Sequence, residues 1–481
     1  MKKYILFAIL TVFSTACETA LEENPKNFLN PDQFFNSDGE AIQAVNGAYN
    51  TCYFLYGSGT TYDLGYWSAL GTDIGIPNTG DQAGFNYLTY TLGPNDETNL
   101  ASIWQTLYKG VANCNMVIAG VKDNEKLSPE VSRQVTGQAL FLRSLYYYWL
   151  TCFWGDVPMW LDALDVDKIS GQLPRTPVDE IRRQIVSDLT AAAADLPAQW
   201  TGNEQGRVSK WAALMLLTRV HLWQKDWANA ASVAQQVITN EGGEHRLLAD
   251  YGDLWGIKNE YNEENIWEID FTLNTHSQAF TDRYVPNQNF DVVVPGYEGM
   301  FTGYALITST PEFLATFEPG DLRKQWYDFN GAGGVTTKFH YIRKHIEWGE
   351  PRANHGLNCM VFRMADAHLM YAEAQNELSG PTAEAYTSLN ALRTRAGLAS
   401  LSGLSKDAFR EAVRNERLHE LSFEYGRRWD LIRWGTLVEA VQKTAKSNPS
   451  GAKNIRPHHV LCPIPSIELS MNPALTQNPG Y

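Results

Sequence analysis

The stretch GQALFLRSLYYYWLTCFW, residues 137–154, constrains the fold more than any other. Wound at 3.6 residues per turn it is apolar on every side, so it is stable only with other elements packed all round it. A buried helix is expected from Val131 to Phe153, stopped by the glycine and proline of GDVP, residues 155–158. Arg143 lies inside that apolar run. A guanidinium there must find a carboxylate or carbonyl partner, because an unpaired buried charge is too costly.

Helical period recurs along the chain. Ile103, Leu107, Val111, Val117 and Ile118 mark a helix within 100–121, and Val178–Leu196 reads as another. In the latter, Pro177 stands at the first turn, Asp179 and Glu180 suit the positive N-terminal end, and Pro197 follows the finish. Residues 211–240 form two helices broken at Lys225-Asp226, with Ala230 and Ala234 one turn apart where backbones approach closely. Residues 365–397 repeat the plan around Gly380-Pro381, with Ala385, Leu389 and Leu392 in rhythm and Gly397 as the stop. Such hairpins resemble tetratricopeptide repeats, and they fit equally a pair within any helical bundle. Two aromatic-rich regions, 50–90 and 271–348, lack this period and read as irregular loops with short strands. The expected fold is mainly α: helical hairpins forming a scaffold, with long irregular loops and a few short strands carrying the ligand site.

The first residues read as an address. Lys2 and Lys3, the apolar run Tyr4–Phe13 and the small residues Ser14, Thr15 and Ala16 make a signal peptide over 1–16, too short to span a bilayer. Cleavage before Cys17 resembles the bacterial lipobox, although Ser14 stands where that pattern prefers leucine. Ordinary cleavage beside an incidental cysteine is the plainer alternative. Residues 17–31 would then be a lipidated tether, polar and interrupted by two prolines, ahead of a single unit over 32–481 with halves at 32–270 and 271–481. The formal charge of −15 argues against nucleic acid and anionic lipid as partners. Five further cysteines without a CxxC pair do not suggest zinc, and no EF-hand spacing, HExxH, GxSxG or phosphate-binding loop appears. No cofactor or metal is expected.

Near the C-terminus, Glu416, Glu420, Glu424 and Arg428 fall at intervals of four, which on one helix would stack three carboxylates. Arg143, Arg417, Arg427 or Arg428 threading between them, with Trp429 and Trp434 packed over, would make a buried charge network rather than a ligand site.

Several blocks in order carry a family likeness. They are IWQTLYKGVANCNMVI (103–118), GQALFLRSLYYYWLTCFWGDVP (137–158), LPRTPVDEIRRQIVSDLTAAAADLP (173–197), FRMADAHLMYAEAQNE (362–377), LNALRTRAGL (389–398), RNERLHELSFEYGRRWDLIRWG (414–435) and LCPIPSIELSMNPALTQNPGY (461–481). Together they resemble the SusD/RagB family of bacterial outer-membrane nutrient-binding lipoproteins. The resemblance implies a cell-surface, lipid-anchored protein that captures an oligosaccharide or polysaccharide, or in some members a peptide. It also implies a SusC-like TonB-dependent transporter as partner, over which the lipoprotein acts as a lid.

Sugar rings present apolar C–H faces and hydroxyl edges, so a glycan site needs flat aromatics beside amides and charged groups. Tyr66 and Trp67 beside Asp73 and Asn78 meet that need, as do Tyr284, Tyr297 and Tyr304, and Trp348 between Glu347 and Glu350. Trp67 and Trp348 are the foremost candidates for an exposed platform. Two rival readings are a surface glycoside hydrolase using a pair among Asp291, Glu298, Glu347 and Glu350, and a helical scaffold that binds only protein.

Overall fold

The computed structural model describes residues 34–57, 63–78, 86–163, 173–240, 243–286, 303–304, 306–328, 339–347 and 353–481. The expected signal peptide, the expected tether and Cys17 lie outside the described residues. Nine described helices have thirteen or more residues: α1 (Asp38–Tyr56), α2 (Glu97–Val121), α3 (Pro129–Trp154), α4 (Val178–Asp195), α5 (Lys210–Gln224), α6 (Trp227–Thr239), α7 (Met364–Ser379), α8 (Ala383–Arg395) and α9 (Lys406–Leu421). Two short antiparallel sheets join distant segments. β1 (Gly75–Ile76) pairs with β3 (Thr308–Ser309), and β2 (Asn265–Ile269) with β4 (Cys359–Arg363).

The all-round apolar helix is α3. Ser128 caps it by accepting from the Val131 amide at 3.4 Å, Pro129 opens its first turn, and Gly155 ends it at φ 72°. It packs on α1, α2 and α4, burying Tyr146, Trp149, Phe153 and Trp154. Arg143 finds its carboxylate on α4: Nε and Nη2 donate to Asp188 at 2.8 and 3.0 Å, while Nη1 donates to Asn115 of α2 at 2.9 Å. One bidentate arginine thus ties three helices, and the charge that sequence placed among the C-terminal acids sits elsewhere.

From α2 onward each helix packs on the next, through α6 on α7 and α7 on both α8 and α9. The two expected hairpins are α5–α6 and α7–α8. Lys225 turns the first at φ 57° with Asp226 capping α6, and Gly380 turns the second at φ 90°. Ala230 and Ala234 are fully buried at the crossing, as are Ala385, Leu389 and Leu392. The main apolar core runs from Phe35 to Leu475 and draws on both halves of the chain. The first irregular region begins later than its aromatics suggested, because Asn50–Tyr56 complete the last turns of α1.

The stacked acids do form a buried network, but not on one helix. α9 stops at Leu421, and Phe423 and Tyr425 turn the chain with φ 67° each before a short helix, Arg427–Arg433. The threads are Arg323, which meets Glu416 and Glu420, Arg363, which meets Glu264, Glu420 and Glu424, and Arg395. Burial alone would raise the Glu420 carboxyl, yet Arg395, Arg363 and Arg323 hold it well below the usual range. Burial brings Lys344 down to about 8 although Glu424 faces it. Arg417 instead pairs with Asp366 and Asp430, and Trp429 packs on Trp149 and Phe153 rather than over the network. Trp434 lies beneath Arg433 and Arg414, its Nε1 donating to Glu373 at 2.8 Å.

Candidate functional site

The arginine-rich stretch positions the first loop region. Buried Arg428 donates from Nε to the Trp67 carbonyl at 2.6 Å and from Nη2 to the Leu70 carbonyl at 2.9 Å, satisfying groups that the short helix Leu64–Ala69 leaves open. Arg427 pairs with Asp73 at 2.8 Å. Asp63 caps the same short helix through the Gly65 amide at 2.9 Å and takes both arms of Arg283. The 63–78 segment is therefore pinned at both ends by buried arginines.

Against this segment opens a cavity of about 440 Å³, to which Tyr53, Tyr66, Gln278, Asp282, Arg283 and Tyr304 contribute. Arg283 lies over the Tyr66 ring, 4.5 Å from its centroid. The Tyr304 amide donates to the Asp282 carbonyl at 2.7 Å, and its carbonyl accepts from Asn78 Nδ2 at 3.4 Å. Asp282 is occupied by His355 Nε2 at 2.8 Å and the Ala353 amide at 2.7 Å. Burial raises the Tyr66 hydroxyl above its ordinary value, so it stays protonated at neutral pH. With both charges committed to protein partners, the cavity offers hydroxyls and one ring that is 43% exposed, Tyr304. That inventory suits a neutral ligand with many hydroxyls.

Of the residues singled out from sequence, the fold brings Tyr66, Asn78 and Tyr304 together. Trp67 is corrected: it is 1% exposed, stacked on Tyr87 at 4.8 Å and edge-on to Phe153, so its faces are core. Tyr284 is likewise corrected: it is buried, packed on His345 at 4.7 Å, and does not line the cavity. Asp73 is held by Arg427 beside a different cavity. Tyr297 and Trp348 lie outside the described residues, as do Asp291, Glu298 and Glu350; Glu347 accepts from the Ile257 amide at 2.9 Å. Sequence reasoning missed Tyr53, Gln278, Asp282 and Arg283. The Asp-Arg pair immediately before Tyr284 was the available signal, since adjacent opposite charges in an apolar stretch must be paired somewhere.

Among the described residues no group of three or more His, Cys, Asp or Glu side chains could hold a metal ion. No described helix is long and apolar enough to cross a membrane. The five described cysteines are free, and burial raises the thiols of Cys52 and Cys462 to about 12.

Comparison with known proteins gives a consistent result. Residues 318–481 match the family model described as the SusD family, and residues 73–222 match one described as starch-binding associating with outer membrane. A SusD-like protein of Formosa agariphila is 31% identical over 99% of this chain and 98% of its own. A second from the same organism is 29% identical, with both chains covered in full. Among solved structures, a SusD homologue from Bacteroides thetaiotaomicron superposes with a TM-score of 0.80 at 25% identity, covering 94% of this chain and 98% of the other. A laminarin-binding SusD-like protein superposes with a TM-score of 0.78 at 24% identity, covering 92% and 99%.

Proposed function

Because the chain belongs to the SusD family, we propose that it is a lipid-anchored glycan-binding protein of the outer-membrane surface. It captures an oligosaccharide or polysaccharide and hands it unchanged to a SusC-like TonB-dependent transporter. The observation that carries this reading is the convergence of Tyr66 and Tyr304, the latter held by Asn78, on one cavity whose charged groups are already paired. Such a cavity gains affinity from stacking on C–H faces and from neutral hydrogen bonds, and it need not discharge a buried ion. The family described as starch-binding and the laminarin-binding neighbour support the same ligand class. In this account Tyr66 and Tyr304 touch the ligand, Asn78 holds Tyr304 through its carbonyl, Tyr297 and Trp348 are further ligand contacts, and Trp67, Asp73 and Tyr284 act by supporting the segments that carry them. Cys17 is the site of acylation.

Affinity electrophoresis of the mature chain in gels containing laminarin, amylopectin, xylan or galactomannan tests the reading, with titration of short peptides alongside. Retardation by at least one polysaccharide is expected, without release of reducing ends. Binding of peptides and no polysaccharide would move the ligand class to peptide, and reducing-end release would make the protein a hydrolase. Labelled palmitate incorporation lost in Cys17→Ala, and co-purification with a TonB-dependent barrel from outer membranes, test the anchor and the partner.

A further inference from the structure

A second cavity, of about 310 Å³, is also lined by Tyr53, the residue that borders the first. Three segments build it. α1 presents Asn46, Asn50 and Tyr53, which lie at helical spacing on one face. The turn between α4 and α5 brings Asn203 and Gln205, and the chain after β2 brings Asp270 and His276. The Trp267 indole, 3% exposed, forms part of the lining and donates to the Gly206 carbonyl at 3.0 Å, which locks the turn in place. Gly206 has φ 74°, and a Cβ there would collide with the Asp270 carboxylate, so the close approach of turn and strand end requires glycine.

The charged groups of this cavity are engaged. Arg207 pairs with Glu204 and donates to Gln138 at 3.0 Å, and Asp270 accepts from the Tyr261 hydroxyl and from Asn358 at 3.3 Å. The side-chain amides of Asn46, Asn50, Asn203 and Gln205 are exposed and have no partner among the described residues. Aromatic surface accompanies them: His276 lies over Tyr53 with centroids 4.6 Å apart, and Tyr261, 40% exposed, donates its hydroxyl to Asp270 of the lining. Uncommitted neutral amides beside flat rings are what saccharide hydroxyls and C–H faces require. Formal charge within the lining is one positive against two negatives, Arg207 against Glu204 and Asp270, which disfavours sulfated or carboxylated ligands.

We propose that this cavity is a second saccharide subsite, joined to the first at Tyr53, so that the protein holds an internal stretch of a neutral glycan across both. The proposal rests on the glycan reading above. It adds that affinity keeps growing with chain length beyond what the first cavity accommodates, and that a short oligosaccharide uses the first cavity alone.

The test uses the mature chain, its Asn50→Ala/Gln205→Ala variant and a single Asn203→Trp variant that blocks the turn side of the cavity. The polysaccharide that retards the wild type in affinity gels is cut to oligosaccharides of defined length, which are titrated calorimetrically against each protein. For the wild type, affinity is expected to climb with length. Loss of two neutral hydrogen bonds should weaken the longest oligosaccharides by about five- to tenfold in the double variant. Disaccharide affinity and melting temperature should stay unchanged in both variants, since all three side chains are exposed. Length-independent wild-type affinity, or unchanged long-chain binding in both variants, overturns the second subsite and leaves the glycan reading intact. Stronger retardation by carrageenan than by any neutral polysaccharide overturns the assigned ligand chemistry. A wild type retarded by no polysaccharide overturns the glycan reading and this inference together.

Discussion

Arg363→Ala removes the hub of the buried charge network, and the structure sets the size of its effect. The guanidinium is 1% exposed and meets Glu264 at 2.9 Å, Glu420 at 2.6 Å and Glu424 at 2.7 Å, and it donates to the Glu420 carbonyl at 2.7 Å. Its loss leaves three buried carboxylates sharing Arg323, Arg395 and Lys344. Breaking one such pair costs about 3–5 kcal/mol, mostly from the charge left behind. An unfolding entropy of about 2.1 cal/mol/K per residue over 481 residues is roughly 1 kcal/mol/K, so the melting temperature should fall by about 3–5 °C. The deficit depends on pH in a defined direction. In the wild type Glu420 and Glu424 titrate below their unfolded values, so their stabilisation is complete above about pH 4.3 and is lost as pH falls through the folded values. In the variant the orphaned carboxylates take up protons at milder acidity, and the gap to wild type narrows from pH 7 towards pH 5. Scanning calorimetry at both pH values measures this, and Arg363→Ala/Glu424→Gln should cost less than the sum of its single changes. A loss under about 1 °C at pH 7, or a gap that widens in acid, would refute the network as the source of stability.

Other consequences concern separate parts of the molecule. Arg428→Ala leaves the Trp67 and Leu70 carbonyls without their charged donor and should cost about 2–4 kcal/mol, read as a lower denaturation midpoint; an unchanged midpoint would show that Arg428 does not pin the loop. Burial holds His345, His368 and His419 neutral, each lowered to about 4, so the unfolded chain binds more protons below about pH 6.5. Melting temperature should therefore decline as pH falls from 6.5 to 4, and a flat profile across that range would contradict the buried neutral state. Tyr304→Ala, at an exposed ring, should leave the melting temperature unchanged and weaken polysaccharide binding by about tenfold or more, as titration would show.

Local periodicity made the scaffold legible. α3 was readable because no amphipathic alternative fits GQALFLRSLYYYWLTCFW, and Arg143 announced a partner by being charged where nothing else is. The partner's identity was not readable, because Asp188 reaches Arg143 only once α4 packs on α3. The same limit explains the C-terminal acids. Their spacing suggested a network, but the break at Phe423 and Tyr425 turns Arg427 and Arg428 towards the 63–78 segment and lets Arg323, Arg363 and Arg395 in from distant chain. In the site, Tyr304 was legible only as one aromatic among several of its region. Trp67, a foremost candidate from sequence, is core, and only the arrival of Tyr87 and Phe153 on its faces decides that. Tyr53 escaped notice because an aromatic-rich helix end looks like loop until the helix is seen to continue through Tyr56.

The most direct measurement is a crystal structure of the mature chain soaked in an oligosaccharide cut from the polysaccharide that retards it. The account predicts unbroken glycosidic density against Tyr66 and Tyr304, continuing past Tyr53 towards Asn50 and Gln205. Density confined to another surface, or a ligand found cleaved, would contradict it.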